Sequence, residues 1–179
     1  IMITTREVVQ DKKTGVIYQG FPSKDELAKI PGVPSENRIK KGPVACIECV
    51  QEIPCNPCEE ACPYGAISVG KPITNLPKLD EDKCIGCGLC IAACPGLAIF
   101  VLNGGKEKAE VSFPFEYYPL PSKGDVVDCV DREGNVVVKG TVLRVIKPKK
   151  YDATVVITVE IPHEYIKTVR SIKFLGRHE

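Results

Sequence analysis

The chain has 179 residues, enough for one or two small domains with a real core. Hydrophobic residues make up 44% and charged residues 26%, ordinary globular values that exclude a disordered chain. The net charge is +1, so no global field draws the chain to nucleic acid or to a membrane surface. The most apolar stretch, Leu89 to Leu102, holds cysteines and Pro95 and falls short of the ~20 residues of a spanning helix. Ile1-Met2-Ile3-Thr4-Thr5-Arg6 leads into no apolar run, so no signal peptide is expected.

Residues 1–43 read as an arm. Thr14-Gly15 is a turn signal, and Val16-Ile17-Tyr18 is expected to form a short strand. Ser23-Lys24-Asp25-Glu26 is a capping box, with Ser at the N-cap and Glu at N3, and opens a short helix to about Ile30. Pro31-Gly32-Val33-Pro34 stops it. The arm has too few apolar residues to fold alone and must lie against the rest of the chain or against another protein.

Next comes the cysteine segment. Nine of the ten cysteines lie between Cys46 and Cys94, and the tenth is Cys129. A secreted disulfide scaffold spreads its cysteines over the fold it staples. Here they form tight CxxC units suited to chelation, which points to a cytoplasmic metal protein. Cys84-x2-Cys87-x2-Cys90-x3-Cys94-Pro95 is the run that binds a cubane [4Fe–4S] cluster. Three thiolates on one tight loop reach three irons, and Gly86 and Gly88 let backbone N–H groups approach the sulfurs. Pro95 turns the fourth cysteine away, toward a second cluster. A zinc ribbon wants two CxxC pairs set well apart and has no use for this run.

A second copy lies 32 residues upstream. Cys55, Cys58, Ala61, Cys62, Pro63, Ala66 and Ile67 match Cys87, Cys90, Ala93, Cys94, Pro95, Ala98 and Ile99, seven identities in thirteen positions. The position matching Cys84 is Glu52, while Cys46 and Cys49 lie upstream. Cys49 can supply the missing thiolate through a loop three residues longer, keeping Cys55 and Cys58 in register. Alternatively Cys46, Cys49 and Cys58 act together and leave Cys55 spare, or Glu52 ligates, or the site holds a three-iron cluster. The first choice changes the backbone least.

Charge follows the same division. Residues 46–100 carry a net −4, against +3 for residues 1–45 and +2 for residues 111–179. An acidic face around a redox centre is expected to meet a basic partner.

Beyond Leu102, Asn103-Gly104-Gly105 reads as a hairpin turn between Ile99–Leu102 and Val111-Ser112-Phe113. No GK[ST] follows the glycines, so they are not a phosphate loop. Pro114, Pro119 and Pro121 mark a linker. Strands are expected at Val126–Val130, Val136–Ile146, Ala153–Ile161 and Thr168–Phe174, with a turn at Asp131–Asn135, a connection at Lys147–Lys150 and one helical turn at Pro162–Tyr165. That many strands in a short span suggest a small closed or half-closed barrel. Cys129 in the first of them reads as a small buried hydrophobe. His163 and His178 have no neighbouring ligand, and Tyr64, just after Cys62-Pro63, is placed to lie against a cluster or simply to pack.

On these motifs, residues 44–102 resemble the dicluster bacterial-type ferredoxin domain. The resemblance implies that three cysteines of one run and the last of the other share each cluster. Carried over, one [4Fe–4S] cluster (cluster II) is held by Cys84, Cys87, Cys90 and Cys62. The other (cluster I) takes Cys58, Cys94 and two more, read here as Cys49 and Cys55 with Cys46 as the alternative. The fold class is then α+β, a dicluster ferredoxin domain at 44–118 with an N-terminal arm at 1–43 and a barrel-like all-β docking domain at 119–179.

Two clusters close together relay single electrons, and no dinucleotide fingerprint or nucleophile–base pair is found elsewhere in the chain. The whole layout is also similar to small iron–sulfur subunits of anaerobic multi-subunit flavoprotein dehydrogenases of the amino-acid or proline type. The likeness rests on the arm leading into Ile47-Glu48-Cys49 and Ile53-Pro54-Cys55-Asn56-Pro57-Cys58, and on the β-domain. It implies an FAD-bearing partner in a hetero-oligomer. The rival readings are a free-standing ferredoxin, for which the arm and β-domain have no evident use, and a nucleic-acid or assembly factor. Lys139, Arg144, Lys147, Lys149 and Lys150 gather near one strand end, but Tyr151 is the one ring beside them for base stacking.

Overall fold

A computed structural model describes residues 14–147, 149 and 154–173. The arm makes three short helices, α1 (Val16–Gln19), α2 (Lys24–Leu27) and α3 (Glu36–Lys40). The strand expected at Val16-Ile17-Tyr18 is a helical turn, because glycines bracket it. Gly20 closes it at a left-handed φ of 79°, and the Gln19 side chain accepts a hydrogen bond from the Gly15 N–H (3.1 Å). The Ser23 capping box opens α2, and its Glu26 carboxylate also accepts from the Val16 N–H (3.2 Å), tying α1 to α2.

The cysteine segment alternates strands and helical turns in chain order: β1 (Val44–Ile47), α4 (Pro57–Glu60), β2 (Ile67–Ser68), β3 (Lys78–Leu79), α5 (Leu89–Ala93) and β4 (Ile99–Asn103). The chain continues as β5 (Ala109–Phe115), β6 (Val126–Val130), β7 (Val136–Ile146), β8 (Val155–Ile161) and β9 (Ser171–Ile172), with a single 3₁₀ turn at His163–Tyr165. Ala153 and Phe174, where two strands were expected to begin and end, lie outside the described residues. Pro114 is part of β5 rather than the linker. It falls beyond the last β4 pair, where only β8 flanks the strand, so the sheet tolerates it.

Of the expected closed or half-closed barrel, the closed form is overturned. The strands form one open antiparallel sheet of seven, in the order β1-β4-β5-β8-β7-β6-β9, and its two edge strands do not pair. The physical reason lies in β8. It pairs along all of β5, so the hairpin β4–β5 of the cysteine segment extends the sheet at the side where a barrel would have to close.

The two faces of the sheet differ. Leu102, Val111, Val159 and Val142 are successive cross-strand partners and are all buried. With Phe113 and Ile157 they form the core, and each such side chain contributes about 2 kcal/mol by leaving water. One step along, Asn103, Glu110, Glu160 and Thr141 make a polar row. Its two opposed carboxylates are neutralised by Lys106 and Lys108 (2.5 and 2.9 Å).

Candidate functional site

The two copies of the cysteine repeat fold alike. Each places a CxxC at the start of a helical turn (α4, α5), a third cysteine at its end (Cys62, Cys94) and a strand soon after (β2, β4). The likeness extends upstream of the matched motif. Ile47 and Leu79, also 32 apart, donate their N–H groups to Gly32 O (2.9 Å) and Pro31 O (3.1 Å). Glu48 and Asp80 donate to Ala98 O and Ala66 O, both at 2.8 Å. The Pro31-Gly32 turn is thus wedged between the ends of β1 and β3. Only glycine fits there, since a Cβ on Gly32 would lie 2.7 Å from both Cβ and O of Ile47.

Two cavities result. One, here site II, has an empty volume of about 320 Å³, mouth included, and Cys62, Cys84, Cys87 and Cys90 line it, with Tyr64 at the mouth. The other, site I, has about 390 Å³ on the same measure and is lined by Cys49, Cys55, Cys58 and Cys94. Each takes cysteines from both repeat copies: Cys62 leaves α4 for site II, and Cys94 leaves α5 for site I. Cys46 and Glu52 line neither. Cys46 is buried in β1 with its sulfur 3.8 Å from Glu48 Oε1, and Glu52 is exposed. Cys129 is fully buried against Gly140. His163 meets the carbonyls of Lys106 and Glu107, and His178 lies outside the described residues.

Burial and mutual repulsion favour the neutral thiols at both sites. Burial, then the neighbouring Cys84, Cys87 and Cys62, pushes the Cys90 thiol up to about 12. Burial and Cys94 push Cys58 up to about 11, and burial raises Cys49. Four mutually repelling sulfurs in an apolar cavity ionise together only if a metal centre offsets them. The sulfurs surround a space rather than converge on a point. Among the described residues, no three His, Cys, Asp or Glu side chains gather closely enough for a single ion. Site II also offers backbone donors: Ala45 N–H to Cys84 Sγ and Ala66 N–H to Cys62 Sγ, both 3.3 Å. Such bonds tune a cluster's potential.

The donor set and cavities therefore fit an iron–sulfur cluster, and the comparisons with known proteins agree. Residues 77–100 match the 4Fe-4S binding domain family. The chain carries a 4Fe-4S ferredoxin domain. It is similar to an uncharacterized ferredoxin of Methanocaldococcus jannaschii (38% identical, over 38% of this chain and 42% of the relative). It is also similar to the polyferredoxin-like subunit of the Pyrococcus furiosus aliphatic sulfonate oxidoreductase (44%, over 30% and 28%). Protein Pixie of Drosophila melanogaster matches at 31% identity over 52% of this chain and 17% of its own length. The chain spans less than half the length of each of these relatives. No solved structure matches it. Residues 77–100 thus carry the iron–sulfur likeness, and no helix among the chain's described residues is long and apolar enough to cross a membrane.

Two groups that support the domain are not signalled in the sequence. Arg38, in the arm, fans its guanidinium over four carbonyls, those of Glu81 (2.7 Å), Gly42 (3.2 Å), Pro43 (3.1 Å) and Cys84 (2.5 Å), and so fixes the entry to the site II loop. Glu48, between Cys46 and Cys49, is buried and paired with two arginines. Arg132 reaches it with two bonds (2.7 and 2.5 Å), and Arg170 with Nε at 2.9 Å while its guanidinium covers the Phe100 ring. Burial alone would raise the Glu48 carboxyl, but the two guanidiniums outweigh it and hold it below its usual range. No local pattern marks the long-range contacts: Glu81 and Cys84 lie 43 and 46 residues from Arg38, and Glu48 lies 84 and 122 from Arg132 and Arg170. Of the strand-end cations, Lys139 is tied to Asp128 and Lys147 lies over the Tyr118 ring. Lys150 and Tyr151 lie outside the described residues.

Proposed function

We propose that the chain holds two [4Fe–4S] clusters, one at Cys49, Cys55, Cys58 and Cys94 and one at Cys62, Cys84, Cys87 and Cys90. It relays electrons in the cytoplasm between the flavin-bearing catalytic subunit of an anaerobic dehydrogenase and an acceptor. The observation that carries this reading is the pair of four-thiol cavities joined by the crossover of Cys62 and Cys94. When bound, each cluster supplies one-electron redox chemistry. The chain's own residues present eight thiolates, exclude water with apolar walls such as Ile47, Ile67 and Ile99, and donate N–H groups to sulfur from Ala45 and Ala66. The flavin-bearing partner is supported by the layout of the chain and by a relative that is an oxidoreductase subunit.

The test is size exclusion of the protein purified anaerobically from its native host, following cluster and flavin absorbance together. Elution at several times 19.5 kDa with a flavin spectrum is expected. Elution alone at monomer mass, brown and free of flavin, would leave a free-standing ferredoxin.

A further inference from the structure

The polar face of the sheet continues beyond the row of Asn103, Glu110, Glu160 and Thr141. Two residues along β4, β5 and β8 lie Val101, Ser112 and Thr158, and Arg144 of β7 pairs with Thr158 on the same face. A third cavity opens over this face, with an empty volume of about 600 Å³, mouth included, larger than either cysteine cavity. Pro43 and Gly86 form one wall, and no cysteine lines it. Its floor is polar although buried, with Asn103 6% and Ser112 8% exposed. The hydroxyls of Ser112 and Thr158 lie 2.8 Å apart. When Thr158 donates to Ser112, the Ser112 hydroxyl keeps its own hydrogen for a ligand.

Charge selects the ligand. Burial raises the Glu110 carboxyl, but Lys106, Asn103 and Arg144 together hold it below its usual range, so it is ionised. Both its oxygens are engaged, Oε1 by Lys106 (2.5 Å) and Oε2 by Asn103 (2.9 Å). Glu160, next in the row, is paired with Lys108. Arg38, which donates to the Pro43 carbonyl, faces the charge of Glu81. Arg144 is the cation left over, with no hydrogen bond or ion pair of its own among the described residues. The cavity therefore offers an anion a free guanidinium, while its own carboxylate is already neutralised.

We propose that this groove binds a small organic carboxylate, held in the fork of the Arg144 guanidinium and hydrogen-bonded by Ser112. A guanidinium matches a carboxylate with two parallel bonds, which a point charge cannot do. Arg144 and Ser112 stand two strands apart, about 10 Å, a gap that the arginine side chain and a molecule of several heavy atoms close together. The site lies outside both cysteine cavities and does not depend on what they hold.

The test is titration calorimetry on the full-length protein as purified anaerobically, with lactate, succinate and benzoate as carboxylates of three shapes and sulfate as the inorganic control. At least one carboxylate is expected to bind saturably at one site per chain, and sulfate about tenfold more weakly. Arg144→Gln should weaken the carboxylate about tenfold or more. Arg144→Lys keeps the charge but loses the fork and should weaken it severalfold, as should Ser112→Ala. Lys29→Gln, an exposed cation outside the groove, should leave it unchanged. Thermal unfolding is followed on every variant, and if Ser112→Ala is destabilised, the exposed Arg144 variants carry the test. No saturable binding of any of the three carboxylates, equal binding of sulfate, or full affinity in Arg144→Gln overturns the site.

Discussion

Site I and site II hang from equivalent backbone and differ in where one thiol leaves it. In both, the chain is pinned by the same pair of hydrogen bonds, at Ile47 and Glu48 for site I and at Leu79 and Asp80 for site II. From Glu48 to Cys55 and from Asp80 to Cys87 the chain is equally long. Within that length the first thiol of site II sits at Cys84, and that of site I at Cys49, three places earlier by the repeat register. The scaffold and the register of the cavity-lining thiols are therefore separate features. A thiol can slide along a loop of fixed length and still reach the cavity, provided the anchors at each end hold. The flanks differ too: Ala45 and Ala66 aim N–H groups at site II sulfurs, while Glu48, beside site I, is locked to Arg132 and Arg170.

Removing one crossing thiol gives the largest expected effect. Cys62→Ala and Cys94→Ala should each lower iron from about eight to about four atoms per chain. If the crossover holds, Cys94→Ala removes the same cluster as Cys58→Ala and spares the one lost in Cys87→Ala, as electron paramagnetic resonance of the reduced protein will show. Loss of the same signal in Cys94→Ala and Cys87→Ala would break the comparison, because each run would then serve itself.

Next in size is the ion group behind site I. Arg170→Ala leaves a buried carboxylate short of a partner and should cost about 3–5 kcal/mol in urea unfolding. The Glu48 carboxyl is depressed in the folded chain. Its contribution is therefore complete above the ordinary value of 4.5 and is lost as pH falls below it, so the gap between wild type and Glu48→Gln should narrow in acid. A gap independent of pH would remove Glu48 from the charged network.

Smaller, and specific to one site, is Gly86→Ala. It combines a φ of +67° with the clash on Pro43 and should cost about 1–3 kcal/mol while disturbing the site II signal alone. Gly32→Ala, wedged between both anchors, should disturb both sites. Smallest is Cys46→Ala. Its thiol lines neither cavity, so iron content should be unchanged and stability reduced by about 1 kcal/mol for the lost packing. A fall in iron in that variant would return Cys46 to the ligand set.

Much of this was legible because it is local. The strands at Val126–Val130 and Val136–Ile146, the Ser23 capping box and the hairpin after Asn103 follow from period, cap and turn residues within a few positions. The 32-residue repeat likewise exposed the relation between the two cysteine runs. What was not legible depends on pairing across the chain. Nothing in Val155–Ile161 says that it joins β5, so a barrel looked natural for strands that in fact extend one open sheet. Arg38, Arg132 and Arg170 carry no signal in the sequence, because the Glu81 and Cys84 carbonyls and the Glu48 carboxylate they bind lie far away in it. Val16–Gln19 has β-branched and aromatic residues suited to a strand, but the glycines on either side and the Gln19 side chain turn it into a helical cap.

The most direct measurement of the central claim is iron and acid-labile sulfide per chain in protein purified anaerobically. Two cubane clusters require about eight of each. About four of each would leave one cavity without a cluster, and zinc with no labile sulfide would contradict the iron–sulfur relay altogether.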